Sequence, residues 1–164
     1  MKISLLLIGL LVGFTSCNDS KNTTYAKKEN TIKITKKTNQ DEAYKLMKNN
    51  CYVCHNPKSK SHDEIIAPPF KAVKMHYLRA YDSREGFITA VVNWVQNPDE
   101  EKALMPGAVN RFKVMPPLPL DTNDLKKIAA YLYDNDVEQP EWMPAHMKEM
   151  NSKKGKGMKG FNNE

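Results

Sequence analysis

The sequence predicts an all-α fold in which three to four helices with long loops form one small domain. Two observations lead to this class: apolar residues recur at helical spacing in four segments, and prolines cluster in the stretches between those segments. A chain of 164 residues is too short for two sizeable hydrophobic cores. We therefore expect a single domain over residues 41–138.

The first two predicted helices flank a polar loop. The first leads into Cys51, and its apolar face is formed by Ala43, Leu46 and Met47. Residues 56–67 are polar and contain a proline, which predicts a loop. The second helix follows Pro68 and Pro69, and its apolar face is formed by Phe70, Val73 and Tyr77.

The third and fourth predicted helices flank a proline-rich stretch. Several residues of the third are β-branched, which favours a strand, but its large apolar side chains follow helical spacing: Phe87, Val91, Trp94 and Val95. Asp82 and Glu85 resemble its capping box, and Pro98 ends it. Residues 98–120 contain six Pro or Gly residues, so we expect no regular element there. Asp121 is the expected N-cap of the last helix, whose apolar face is Leu125, Ile128, Ala129 and Leu132.

The positive charge of the chain lies at its two ends. The total is 25 Lys and Arg against 19 Asp and Glu, a formal charge of +6, yet residues 41–140 hold 13 basic and 14 acidic residues. A folded nucleic-acid-binding surface is not expected from a nearly neutral body. Residues 139–164 are predicted to be a basic tail without fixed structure beyond Trp142.

The first segment predicts export and a lipid anchor. Lys2 precedes an apolar stretch over residues 3–14, which has the length of a signal-peptide core and is too short to span a bilayer. The small residues before Cys17 resemble the lipobox of bacterial lipoproteins, in which the cysteine is lipidated. We therefore expect a signal peptide over residues 1–16 and a flexible tether over residues 17–40, on the periplasmic side of a bacterial membrane. The alternative is an ordinary secretory signal.

Residues 51–55 form Cys-Tyr-Val-Cys-His, the attachment sequence for c-type haem. Two thiols about one helical turn apart can add across two vinyl groups on one porphyrin edge, and His55 can then reach the iron. Three other uses of Cys51 and Cys54 are weaker. A redox-active thiol pair lacks its βαβ context, a zinc site would need His62 and His76, and a disulfide at this separation would be strained. A covalent haem would also supply the apolar bulk that so small a core lacks.

With this motif, the chain from about residue 41 to 135 resembles a single-haem class I cytochrome c of the bacterial periplasmic type. The shared features are a helix leading into the motif, a downstream proline, a Met-Pro pair in the last loop and a C-terminal helix with an aromatic. The resemblance implies that the loops wrap around one covalent haem c and that the two terminal helices cross beside it. It also implies that the carbonyl of Pro68 accepts a hydrogen bond from His55, with Pro69 as the alternative.

The resemblance implies Met115 as the second axial iron ligand opposite His55, with Met105 as the competing choice. Trp94 and Arg111 are candidates for contacts with the haem propionates, whereas His62, His76 and His146 are interpreted as ordinary polar residues. A haem with His and Met ligands exchanges single electrons and leaves no position for a substrate.

We therefore predict a membrane-tethered electron carrier, not an enzyme, that meets redox partner proteins as a monomer or complex subunit. The alternatives are a fixed haem subunit of an oxidase or dehydrogenase and, less favoured, a ligand-binding or peroxidase-like haem protein.

Overall fold

The computed structural model describes residues 22–157, with the side chains of residue 33 and of residues 37–152. The predicted export signal and Cys17 lie outside these residues. Within them the chain forms six α-helices and no β-strand, which confirms the all-α class and corrects the expected helix number. The helices are α1 (Asn22–Asn50), α2 (Phe70–Ala80), α3 (Arg84–Gln96), α4 (Pro106–Phe112), α5 (Thr122–Asp134) and α6 (Met143–Gly157). In the described part of the chain, no helix combines the length and apolarity that crossing a bilayer requires.

Helix α1 begins well before the predicted start at residue 41. Residues 22–40, expected to belong to a flexible tether, are helical in the structure. No Gly or Pro interrupts residues 22–50, and Lys, Glu and Ala within them favour helix, so local propensity allows the extension. The chain divides into two units, residues 1–36 and 37–164, and the core and the candidate site belong to the second.

The core forms where α1, α2, α3 and α5 bring their apolar faces together. Met47 and Phe87 are fully buried, and Leu132 of α5 belongs to the same buried cluster. The last turns of α1 pack on α5, since the Tyr44 ring lies 5.8 Å from that of Tyr131. The helix that leads into residues 51–55 thus contacts the helix that begins after Asp121, and α6 follows as a further helix.

Two N-caps show how the sequence sets helix starts. Asp121 accepts hydrogen bonds from the amides of Asn123 and Asp124 at 2.8 and 3.3 Å, which confirms it as the N-cap of α5. Helix α3 instead starts one residue later than the predicted capping box. Its N-cap is Ser83, whose hydroxyl accepts from the Gly86 amide at 3.1 Å.

Two segments predicted to lack regular structure contain helices. Helix α4 starts with Pro106 at its first turn, where a missing N–H costs nothing, so the proline favours the helix instead of excluding it. Helix α6 lies in the predicted unstructured tail. Pro140 and Met143 are buried, and they hold the start of α6 on the domain despite the polar character of the residues that follow.

Candidate functional site

An apolar cavity lies between the turn after α1, the segment before α2, the inner faces of α2, α3 and α5, and residues 103–116. Its volume is about 220 Å³. Protein interiors rarely contain voids larger than a water molecule, and an engineered cavity of roughly 150 Å³ is enough to bind benzene. The cavity therefore has room for a ligand larger than one aromatic ring, and its predominantly apolar walls favour an apolar one.

One wall of the cavity carries Cys51, Cys54 and His55. The Cys51 amide donates to the Met47 carbonyl at 2.8 Å, and the His55 amide donates to the Cys51 carbonyl at 2.9 Å. These bonds continue the winding of α1 through the motif, so that both thiols and the imidazole reach the same cavity.

The two thiols of this wall differ in their surroundings. Both are free, Cys51 is partly buried and Cys54 is exposed. Burial, with the neighbouring Cys54 as a smaller cause, raises the pKa of Cys51 to about 11. Redox-active thiol pairs depend instead on a lowered pKa, so this arrangement does not favour a thioredoxin-like role.

The His55 ring is held in one orientation by two contacts. Its Nδ1 lies 2.6 Å from the Pro68 carbonyl oxygen, and its ring stacks on Phe70 with the centroids 4.6 Å apart. A carbonyl oxygen can only accept, so Nδ1 carries the proton and Nε2 keeps a free lone pair in the neutral ring. Burial lowers the pKa of His55, while the bond to Pro68 opposes that shift. The neutral ring is a metal-ligating form of histidine.

Between the two candidate prolines, the structure gives the contact to Pro68. The carbonyl of Pro69 has another use, since it accepts from the amides of Ala72 and Val73 at 2.9 and 3.2 Å in the first turn of α2. Phe70 was not singled out as a site residue from the sequence. Its position directly after two prolines at a helix start is the signal that could have indicated it.

Residues 103–116 contribute both competing methionines to the cavity wall. Met105 stands at the N-cap of α4, and Met115 follows that helix in an extended stretch. The stretch is fixed at both ends. Lys113 donates its amide to Val109 at 2.8 Å, and Leu118 donates its amide to the Val95 carbonyl at 3.1 Å. The structure places both methionines on the cavity wall.

The two predicted propionate contacts differ in their placement. Trp94 lines the cavity. Arg111 is not among the cavity-lining residues; its guanidinium donates to the His62 carbonyl at 2.7 Å. His62 in turn stacks on His146 with ring centroids 4.5 Å apart. No local sequence pattern indicates this cluster, because its members come from three separate segments.

The zinc alternative gains no support from the part of the chain that the structure describes. There, no group of three or more His, Cys, Asp or Glu side chains is arranged to hold a metal ion. His76, one of the two additional ligands considered, lies on α2 and is not among the cavity-lining residues.

The arrangement has the chemistry that a covalently attached haem requires. Two thiols stand beside an oriented imidazole with a free lone pair, and two thioethers occupy a different segment of the same apolar cavity. The residues present therefore fit such a group. Their donor set of nitrogen and sulfur is the one that holds haem iron in electron-transfer cytochromes.

Comparison with known proteins adds one relative. The chain is 29% identical over 114 residues to an uncharacterised protein of Aquifex aeolicus (strain VF5). The aligned region covers 59% of this chain and 75% of that protein. No protein-family profile matches the chain, and no solved structure matches it.

Proposed function

We propose that this chain is a one-electron carrier that holds one haem c covalently through Cys51 and Cys54, with His55 as an axial ligand. The observation that carries the proposal is the Cys-x-x-Cys-His motif on the wall of an apolar cavity, with its histidine oriented by the Pro68 carbonyl. If bound, the haem would supply reversible one-electron chemistry.

The protein residues orient the ligating imidazole and shield the bound group from water. The hydrogen bond from His55 to Pro68 fixes the ring plane and raises the donor strength of Nε2. The apolar walls exclude water, so few solvent dipoles have to reorient when the charge of the bound group changes. The covalent links hold the group in a domain whose own core is thin.

We propose Met115 as the second axial ligand. It lies shortly before the Asp121 cap of α5, and Pro116 and Pro117 stiffen the chain directly after it. The bond from Leu118 to Val95 ties this stretch to the end of α3. A stiff segment helps a weak thioether compete with water. Met105 remains the competing choice, since it also lines the cavity.

Covalent attachment is tested by denaturing the mature protein and extracting it with acidified organic solvent. The haem should stay with the polypeptide. A variant carrying both Cys51→Ala and Cys54→Ala should lose it, whereas Val53→Ala, at an exposed position between the same two cysteines, should retain it as the matched control. Haem that leaves with the solvent, or a mature protein that holds none, contradicts the proposal.

The second axial ligand is tested by Met115→Ala and Met105→Ala, with Met75→Ala as a control away from the cavity. The readout is the weak near-infrared sulfur-to-iron band of the ferric protein. Loss of the band in Met115→Ala alone supports the assignment. Persistence of the band in that variant removes Met115 without touching the attachment of the haem.

We also propose that the carrier is tethered to a membrane through a lipid on Cys17, which lies outside the described residues. The support is the apolar segment and the small residues that precede this cysteine. Cys17→Ser should release the protein from the membrane fraction or block its processing, while Ser20→Ala should change neither. Membrane association that survives Cys17→Ser would locate the attachment elsewhere, with the basic tail as the next candidate.

A further inference from the structure

A cluster of three segments lies beside the candidate site, and Arg111 at the end of α4 is its centre. Its Nη2 donates to the His62 carbonyl at 2.7 Å. Its Nη1 lies against the His62 ring, 2.8 Å from Nδ1 and 2.6 Å from Nε2. One guanidinium thus contacts both the backbone and the side chain of His62. Its ion pair with the exposed Asp63 carboxylate, at 3.8 Å, contributes little to stability.

Helix α6 covers the other side of His62. The His146 ring stacks on the His62 ring with an interplanar angle of 22°, and the Trp142 ring meets His62 edge-on at 5.4 Å. The Trp142 indole donates to the Ser59 carbonyl at 3.1 Å. Trp142 directly precedes α6, and its carbonyl accepts from the His146 amide at 3.2 Å, so the start of α6 contacts residues 59 and 62 of the same loop.

The segments joined in this way carry the two candidate axial ligands. The loop that contains Ser59 and His62 runs on to Pro68, whose carbonyl orients His55. Arg111 lies in the last turn of α4, four residues before Met115.

We propose that Arg111 and His62 are positioning residues whose contact, here called the joint, ties the Met115 segment to the Pro68 loop. Trp142, directly before α6, and His146 of α6 cover this joint. The contacts themselves do not depend on the proposed function. Their expected effect, a more stable iron–thioether bond, rests on it. The joint assigns to the C-terminal segment a task in the site, and it gives Arg111 a protein partner in place of a haem propionate.

The test uses the full-length haem-loaded protein and the variants Arg111→Ala, His62→Ala and the double variant, with Arg79→Ala as an exposed arginine control on α2. Imidazole is titrated against the ferric protein, and its apparent affinity reports how easily the thioether is displaced. Loss of a charge-assisted hydrogen bond should raise this affinity by roughly tenfold in either single variant. The double variant should add little beyond that, because both changes remove one joint.

A second readout does not depend on the iron. Amide hydrogen exchange over residues 56–68 and 111–116 should quicken together in Arg111→Ala and in His62→Ala, and should stay unchanged in Arg79→Ala. Trp142→Phe keeps an aromatic ring but loses the indole hydrogen bond to Ser59, so it should also quicken exchange in the loop. Exchange that stays unchanged in both single variants overturns the joint even if the protein holds no haem.

The outcomes separate the possible failures. If Arg111 served a propionate, its effect on imidazole affinity would be independent of His62, and the two single effects would multiply in the double variant. That result overturns the joint while leaving the electron-carrier proposal intact. A protein without haem, but with coupled exchange of the two segments, would refute the proposed function and support the joint.

Discussion

Replacing Lys113 by glycine should stabilise this protein, because Lys113 is strained. Its backbone has φ 69° and ψ 176°, a region that is populated almost only by glycine. No other non-glycine residue in the described chain has a positive φ. The turn is held from both sides, by the bond from the Lys113 amide to Val109 and by the attachment of Leu118 to Val95.

The size of the effect follows from two opposing contributions. Relief of this backbone strain is worth about 1–3 kcal/mol, whereas glycine increases the entropy of the unfolded chain at a cost of about 0.4–1 kcal/mol. Lys113→Gly should therefore raise the free energy of unfolding by about 0.5–2 kcal/mol. For a domain of this size, each kcal/mol corresponds to a shift of the thermal midpoint by about 3–6 °C.

Urea and thermal unfolding, followed by circular dichroism, measure this change. Lys113→Ala is the matched control, since it removes the same long side chain but keeps the Cβ that causes the strain, and it should leave the midpoint nearly unchanged. Equal stabilisation by alanine and glycine would show that the side chain, not the backbone, was unfavourable. A glycine variant less stable than the starting protein would refute the strain argument.

Four further predictions concern the core, the two thiols and a helix cap. Phe87→Ala, at a fully buried position, should lower the free energy of unfolding by about 3–5 kcal/mol in urea titrations, and Phe87→Leu by clearly less. In haem-free protein near pH 8, iodoacetamide should modify exposed Cys54 well before Cys51, whose pKa is raised to about 11; equal rates in peptide mass mapping would contradict this. The pKa of Cys51 is higher in the folded than in the unfolded state, so its protonated thiol contributes to stability below about pH 8.5. This contribution should be lost as the pH rises through about 11. Cys51→Ala should not show this pH dependence. Asp121→Ala should cost about 1 kcal/mol in thermal unfolding, and Asp121→Asn much less.

The sequence was most informative where local rules decide the structure. Helical spacing predicted the helix that contains Phe87, although its β-branched residues favour a strand, since burial of one apolar face outweighs propensity. The acidic side chain of Asp121 predicted the start of α5, because an N-cap depends only on the next few residues. The short motif at residues 51–55 likewise predicted which side chains share one wall of the cavity.

Features that depend on distant partners could not be predicted in this way. The proline count over residues 98–120 concealed α4, because a proline in the first turn supports a helix and the same residue further along would break it. Helix α6 has a weakly apolar sequence, and its start is held by burial of Pro140 and Met143. The contact between Arg111 and His62 joins residues 49 positions apart, beyond the reach of any local pattern.

The apolar cavity has a consequence for how much of this protein a cell can accumulate. Apolar walls around an unfilled space of about 220 Å³ lack the dispersion contacts that a filled interior supplies. Small domains have only about 5–15 kcal/mol of total stability. A chain that never receives a ligand in this space would unfold far more often and be open to proteolysis. Ligand supply, and not synthesis of the polypeptide alone, would then set the steady-state amount of the protein.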